Sequence, residues 1–299
     1  MDNCKIISVK DGRGLSYYEF GSADGAPVFY FHGSGSFSGL IGKSLNNAAQ
    51  KNGIRLICPN RPGIGESDNY PNRRILDYPS DVLILADKLN INSFSIISQS
   101  GGSAYGFACA YAAPERILQL SAVSALTPPD MAMDNKEVPF KTRFAINMFK
   151  KTPSWLLVKM YDNMYKTIKN SPDAFYNKVY KKATDVEKHI LSTTEYYTVY
   201  TQNVLDALKN GSSASITDIR LCFKPWGFDL SKISVPVQIW HGQDDKSSPV
   251  QLVNTMQKEL KFCEARYIQG ESHMSLMQNY AEEILKVLSI KINNLNQPL

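Results

Sequence analysis

Apolar and polar positions follow two periods along this chain, and the switch between them divides it into three parts. In the first part, short apolar runs bounded by turn residues predict strands at Cys4–Val9, Leu15–Phe20, Pro27–Phe31, Ile54–Cys58, Phe94–Ile97 and Ile117–Val123. The first two form a hairpin across Asp11-Gly12-Arg13-Gly14. Between the later strands the apolar residues recur at helical spacing. This predicts helices over Ser38–Lys51, Asp77–Leu89 (Val82, Leu83, Leu85, Ala86, Leu89) and Gly101–Ala113. Strands alternating with helices imply a parallel sheet with right-handed crossovers.

The strand signal fades from about Pro128 to Phe228, where helical spacing dominates and lysine, tyrosine, phenylalanine and methionine are frequent. Pro153 and Pro172 punctuate this stretch as helix starts. Alternation resumes with strands at Val235–Trp240 and Glu264–Ile268 and helices at Pro249–Leu260 and Ala281–Ile292. The expectation is one α/β core, residues 1–127 and 229–299, interrupted by an all-helical insertion at 128–228.

Composition narrows the class. The 299 residues are 43% apolar, enough for a sizeable core. The formal charge is +5, with the densest basic stretch between Lys141 and Lys188. There the lysines alternate with aromatics at helical spacing, which reads as a solvated helix face rather than a nucleic-acid site. The five cysteines (Cys4, Cys58, Cys109, Cys222, Cys263) are scattered and lack C-x-x-C spacing. They predict reduced core thiols, as in a cytoplasmic protein, not a disulfide frame or a zinc site. Met1–Arg13 shows no apolar signal region, and no apolar run approaches the roughly 20 residues of a membrane span.

The chemistry gathers at predicted strand ends, where loops of a parallel sheet converge on one crevice. Ser98-Gln99-Ser100-Gly101-Gly102 joins an apolar strand to a small-residue helix, as a nucleophile elbow requires. Its turn exposes the Ser100 hydroxyl and puts the Gly101 amide at a helix N-terminus, where unpaired N–H groups hold an anion. His32-Gly33-Ser34-Gly35-Ser36 can aim the Ser34 amide at the same point. Asn60-Arg61-Pro62-Gly63-Ile64-Gly65-Glu66-Ser67 is a tight loop in which Arg61 and Glu66 fix the backbone. His241-Gly242-Gln243-Asp244-Asp245 offers a carboxylate to orient a histidine, Asp245 first and Asp244 as the alternative. Gly270-Glu271-Ser272-His273 supplies the candidate base, His273. His189 falls in the helical insertion and reads as a surface residue.

The order serine, aspartate, histidine is that of the α/β-hydrolase family, which the chain resembles from about residue 14 to residue 289. The resemblance rests on His32-Gly33, Arg61-Pro62-Gly63-x-Gly65-x-Ser67, Ser100-x-Gly102, Pro114-Glu115-Arg116, His241-Gly242-x-x-Asp245-x-x-x-Pro249 and Gly270-x-x-His273. It implies an eight-stranded, mostly parallel sheet flanked by helices, with a helical cap over the crevice. It further implies Ser100 as nucleophile, His273 as base, Asp245 as its orienter, and Ser34 and Gly101 as oxyanion amides. Two positions depart from the family pattern: Asn60 stands where an aspartate is usual, and Ser98 where the elbow has its first glycine.

A serine at the elbow disfavours the branches that use aspartate there, the haloalkane dehalogenases and epoxide hydrolases. The expected activity is hydrolysis of a carboxylic ester or related acyl bond of a small to medium, fairly apolar molecule, through an acyl-enzyme. The alternatives are a ligand-binding protein on the same fold, or an acyltransferase using the same nucleophile. No cofactor or metal is called for: the turn at His32 lacks the lysine of a P-loop and the spacing of a dinucleotide fingerprint. Phe140, Phe144, Met148, Phe149, Trp155, Met160, Tyr161, Met164 and Tyr165 are candidates to line an apolar pocket, and as an amphipathic stripe to pack the insertion together.

Overall fold

The computed structural model describes residues 3–295. Eight strands form one sheet: β1 (Lys5–Ser8), β2 (Gly14–Gly21), β3 (Ala26–Phe31), β4 (Ile54–Pro59), β5 (Phe94–Gln99), β6 (Ile117–Val123), β7 (Val237–Gly242) and β8 (Cys263–Ile268). Their spatial order is β1-β2-β4-β3-β5-β6-β7-β8. β1 and β2 pair antiparallel, as do β2 and β4, and every other neighbour is parallel. The hairpin and the α/β alternation match the sequence expectation.

Helices α1 (Lys43–Lys51), α2 (Tyr78–Lys88) and α3 (Gly102–Ala112) connect the first six strands. Seven helices then follow between β6 and β7: α4 (Pro129–Asp134), α5 (Phe140–Lys151), α6 (Ser154–Asn170), α7 (Pro172–Lys182), α8 (Asp185–Leu191), α9 (Thr194–Leu208) and α10 (Ser212–Cys222). After β7 come α11 (Val250–Glu259) and, beyond β8, α12 (Ser275–Leu295). None of the described helices is long and apolar enough to cross a membrane.

Strand alternation builds a core on each face of the sheet. On β3, Phe29 and Phe31 pack with α2, α3 and α11 on one face, against Tyr78, Phe107 and Val253. Val28 and Tyr30, which alternate with them in sequence, pack on the other face with α1 and α12, against Leu45 and Ile284. All five cysteines are free; Cys58, Cys109 and Cys222 are buried, and Cys4 and Cys263 are only half-buried.

One helix is shorter than expected. The segment from Ser38 to Gly42 stays outside α1 because it is held as a loop. Ser38 donates its amide to Asn60 Oδ1 (2.8 Å) and its hydroxyl to the Pro59 carbonyl (2.9 Å). A Cβ on Gly39 would strike the rings of Phe37 and Tyr18. Asn60, one of the two departures from the family pattern, also donates Nδ2 to Ser16 Oγ (2.9 Å), so both ends of its amide are used.

Candidate active site

Chain direction around the sheet reverses between β3 and β5, and the loops after those strands face each other across the resulting crevice. Ser100 follows β5 with φ of +51°, the left-handed region that a non-glycine residue adopts only when its surroundings enforce it. Three backbone hydrogen bonds enforce it. The Ser100 amide donates to the Val123 carbonyl (3.0 Å), and its own carbonyl accepts from Ser103 (3.0 Å) and Leu126 (3.3 Å).

The turn tolerates no bulk. A Cβ on Gly102 would overlap the Phe31 carbonyl, and one on Gly101 would overlap Ser34 Oγ. Ser98, the other departure from the pattern, is accommodated on the far side. It faces Gly106 of α3, whose Cβ, if present, would lie 2.9 Å from Ser98 Oγ and 3.0 Å from Ser98 Cβ. The missing side chain has moved from the strand to the helix.

His273, in the loop after β8, reaches both partners. Its Nδ1 lies 2.7 Å from Asp245 Oδ2 and its Nε2 lies 2.9 Å from Ser100 Oγ. A carboxylate only accepts, so Nδ1 carries the proton and Nε2 presents its lone pair to the serine hydroxyl. Asp245 is buried, and its Oδ1 accepts the amides of Ser247 and Ser248, both at 2.8 Å. Burial works against its negative charge, but His273, His241 and the amides outweigh that, and its pKa lies below the ordinary aspartate value. Burial likewise disfavours the imidazolium of His273. The Asp245 charge, their hydrogen bond and the charge of Glu187 overcome it, so the His273 pKa is raised. Asp244, the alternative orienter, is exposed and makes no hydrogen bond to His273 among the described residues.

Glycine brings these two loops together. A Cβ on Gly242 would overlap the Glu271 carbonyl, two residues before His273. The neighbouring His241 is buried and donates Nε2–H to the Ser248 carbonyl (2.8 Å), bracing the Asp245 loop.

The amides of Ser34 and Gly101 stand side by side at the mouth of α3: a Cβ on Gly101 would lie 3.2 Å from the Ser34 nitrogen. Among the described residues neither amide donates to a protein acceptor, which leaves both free for an anion. His32, at the head of this turn, is structural. Burial and the nearby Arg61 push its pKa down to about 3, so it stays neutral.

Arg61 holds the turn from behind. It donates to the carbonyls of His32 (2.6 Å) and Gly33 (3.0 Å) and pairs with Asp218 of α10 through two bonds of 2.8 Å. Arg73 (3.2 Å) and the Tyr105 hydroxyl (2.8 Å) complete the Asp218 shell. Glu66 is exposed and pairs with Lys209 of the insertion. Arg61 thus fixes backbone, as its sequence context implied, whereas Glu66 is joined to a side chain.

A cavity of about 470 Å³ opens onto Ser100 and His273. Its walls differ from the sequence expectation. None of the nine candidate aromatics and methionines from Phe140 to Tyr165 borders it. The insertion contributes instead from α7 to α9, notably Glu187, Tyr196, Val199 and Asn203. Glu187 is buried and serves twice: Oε2 accepts the Thr184 amide (2.9 Å) and Oε1 the Met274 amide (3.4 Å), next to His273. Asn203 accepts from the Phe37 amide (2.7 Å) and donates to the Leu40 carbonyl (2.8 Å), pinning the loop that borders the cavity. Asp218, Glu187 and Asn203 went unnoticed in the sequence. Only Glu187 left a local trace, the Thr184-x-x-Glu187 capping box that starts α8.

The chain belongs to the alpha/beta hydrolase fold family, whose model matches residues 26–280. It is 24% identical over 258 residues to a non-heme chloroperoxidase of Streptomyces lividans, covering 81% of this chain and 83% of that one. It is 34% identical over 116 residues to a dihydrolipoyllysine-residue acetyltransferase component of an acetoin cleaving system from Pseudomonas putida. That match covers 38% of this chain and spans only 30% of the relative's length. Among solved structures, an esterase from Exiguobacterium antarcticum superposes with a TM-score of 0.67 at 16% identity, over 96% of this chain and 99% of that one.

Proposed function

We propose that the protein is a serine hydrolase that cleaves a carboxylic ester through an acyl-enzyme, with the helices of residues 128–228 serving as a cap over the crevice. The observation that carries this reading is the unbroken line of hydrogen-bonding atoms from Ser100 Oγ through the His273 ring to Asp245, at 2.9 and 2.7 Å.

As Ser100 Oγ bonds to the substrate carbonyl carbon, His273 Nε2 takes the hydroxyl proton. The carbonyl electrons move onto oxygen, where the Ser34 and Gly101 amides receive the charge. Asp245 keeps the ring in the required tautomer and stabilises its positive form. The tetrahedral adduct then collapses: the bond to the leaving alkoxide breaks, and His273 gives that oxygen the proton. Water next attacks the acyl-enzyme, with His273 again as base, and the free acid departs. The cavity volume suits a small to medium ester. Phe37, Leu45 and Met277 supply apolar wall, while Tyr30 and Gln99, joined by a 2.8 Å hydrogen bond, supply polar groups.

The test is turnover of p-nitrophenyl esters of graded chain length by wild type and by Ser100→Ala, with fluorophosphonate labelling alongside. We expect turnover and labelling in the wild type and neither in the variant, with kcat lower by a factor on the order of 10⁶. Equal turnover in both, or a folded wild type that resists the probe, overturns the reading.

A further inference from the structure

Among the described residues, six of the ten exposed large apolar side chains lie away from the crevice, on two consecutive helices. On α5, Phe140, Phe144 and Met148 follow at four-residue spacing and face outward; Phe140 is 73% exposed. The Phe140 and Phe144 rings stack on each other, 6.2 Å apart. Thr152 and Pro153 separate α5 from α6, where Trp155 is 68% exposed and Leu156 and Met160 are also exposed. These are not core-facing stripes seen from outside. The inward residues are others: Ile146 packs with Val138 and Leu252, and Leu157 with Ile216 and Ile219. Single exposed apolar residues are ordinary, but six on adjacent helices mark a contact surface.

Charge says what touches it. Phe140–Asn170 contains Lys141, Arg143, Lys150, Lys151, Lys159, Lys166 and Lys169 against one acid, Asp162, a net +6. The whole chain is +5, so the remainder sums to −1. The segment that bears the exposed aromatics therefore carries a net positive charge as large as the whole molecule's excess.

We propose that the consecutive helices α5 and α6 dock on an anionic lipid surface, their aromatic and aliphatic side chains entering the headgroup boundary and their lysines resting on lipid phosphates. Projecting Trp, Phe and Leu flanked by long basic side chains is the makeup of a helix that lies on a membrane without crossing it. A second copy of the chain would set one +6 segment against another. An acidic protein would satisfy the lysines, but the six outward apolar side chains need an apolar medium as well, which the headgroup boundary supplies.

Nature supplies a reporter. Of the three tryptophans, Trp226 and Trp240 are buried, so Trp155 is the one whose environment changes on docking. The full chain is mixed with vesicles of phosphatidylcholine alone, or of phosphatidylcholine with phosphatidylglycerol, and followed by co-sedimentation and tryptophan emission. We expect binding to the mixed vesicles only, a blue shift that Trp155→Phe removes, and release by high salt. Lys151→Gln with Lys159→Gln weakens partitioning about thirtyfold, at about fivefold per lysine. Phe140→Ser with Phe144→Ser abolishes it, while turnover of a soluble ester reports that the variants remain folded. Failure to sediment with the mixed vesicles, or undiminished binding by the lysine variant, overturns the proposal. So does a blue shift driven by protein concentration alone, which identifies a second copy, or one matched by polyglutamate, which identifies an acidic polypeptide.

Discussion

Asp218→Asn is the sharpest test of how the crevice is held. The substitution keeps the shape of the side chain and removes its charge. Asp218 is 1% exposed and sits among two buried guanidiniums, Arg61 at 2.8 Å and Arg73 at 3.2 Å, and among the described residues no other acid is bonded to either. Burial opposes its ionisation, but the two arginines prevail and its pKa falls well below the ordinary value of 3.8. Removing one partner from such a buried pair costs about 3–5 kcal/mol, because the remaining charge stays desolvated. Two cations are stranded here, so the upper part of that range applies. With a urea m-value of about 3 kcal/mol per M, the unfolding midpoint should fall by about 1.3–1.7 M. The sign of the pH dependence follows from the lowered pKa. The stabilisation is present above the unfolded aspartate pKa and is lost as pH falls through the folded one. The gap between wild type and variant should therefore be constant from pH 5 to 8, given an unfolded pKa of about 3.9, and begin to close only below about pH 4. Ester turnover should fall as well, since Arg61 also holds the His32 and Gly33 carbonyls beside the Ser34 amide. A midpoint shift below about 0.3 M at pH 7, equivalent to about 1 kcal/mol, would refute the reasoning.

Ser100→Gly should abolish ester turnover yet leave the protein up to about 1 kcal/mol more stable by urea melt, because glycine relieves the φ of +51°; a less stable variant contradicts the strain. Gly106→Ala should cost about 1–3 kcal/mol by pushing Cβ against Ser98 Oγ, and adding Ser98→Gly should restore most of the loss; additive costs in the double variant argue against the exchange. Turnover in the proposed mechanism requires neutral His273, so the acidic limb of kcat/KM should lie above the ordinary histidine value of 6.5. Glu187→Gln removes an anion that favours the imidazolium, so that limb should move to lower pH; an unmoved limb disconnects Glu187 from His273.

The strands were legible because each is a compact apolar run whose alternate residues face two cores, and the crevice was legible because its residues sit at strand ends. The helical insertion was legible as helices but not as surfaces. Phe140, Phe144 and Met148 recur at a spacing that normally marks an inward face, yet Ile146 and Phe149 turn inward instead. Periodicity identifies a stripe without saying which neighbour covers it. Asp218 and Asn203 escaped notice for a different reason. Each meets its partner across more than 150 positions of chain, and nothing local to either residue announces a buried charge or a pinned loop. Ser98 looked like a defect in the elbow until Gly106 supplied the missing space.

The bond from Asn203 to Leu40 and the pair between Asp218 and Arg61 join the helices between β6 and β7 to the very segments that border Ser100 and His273. Excising residues 128–228 would thus not yield a smaller protein with the crevice intact. It would unmoor the scaffold beneath the Ser34 and Gly101 amides, so minimisation of this chain has to leave α9 and α10 in place.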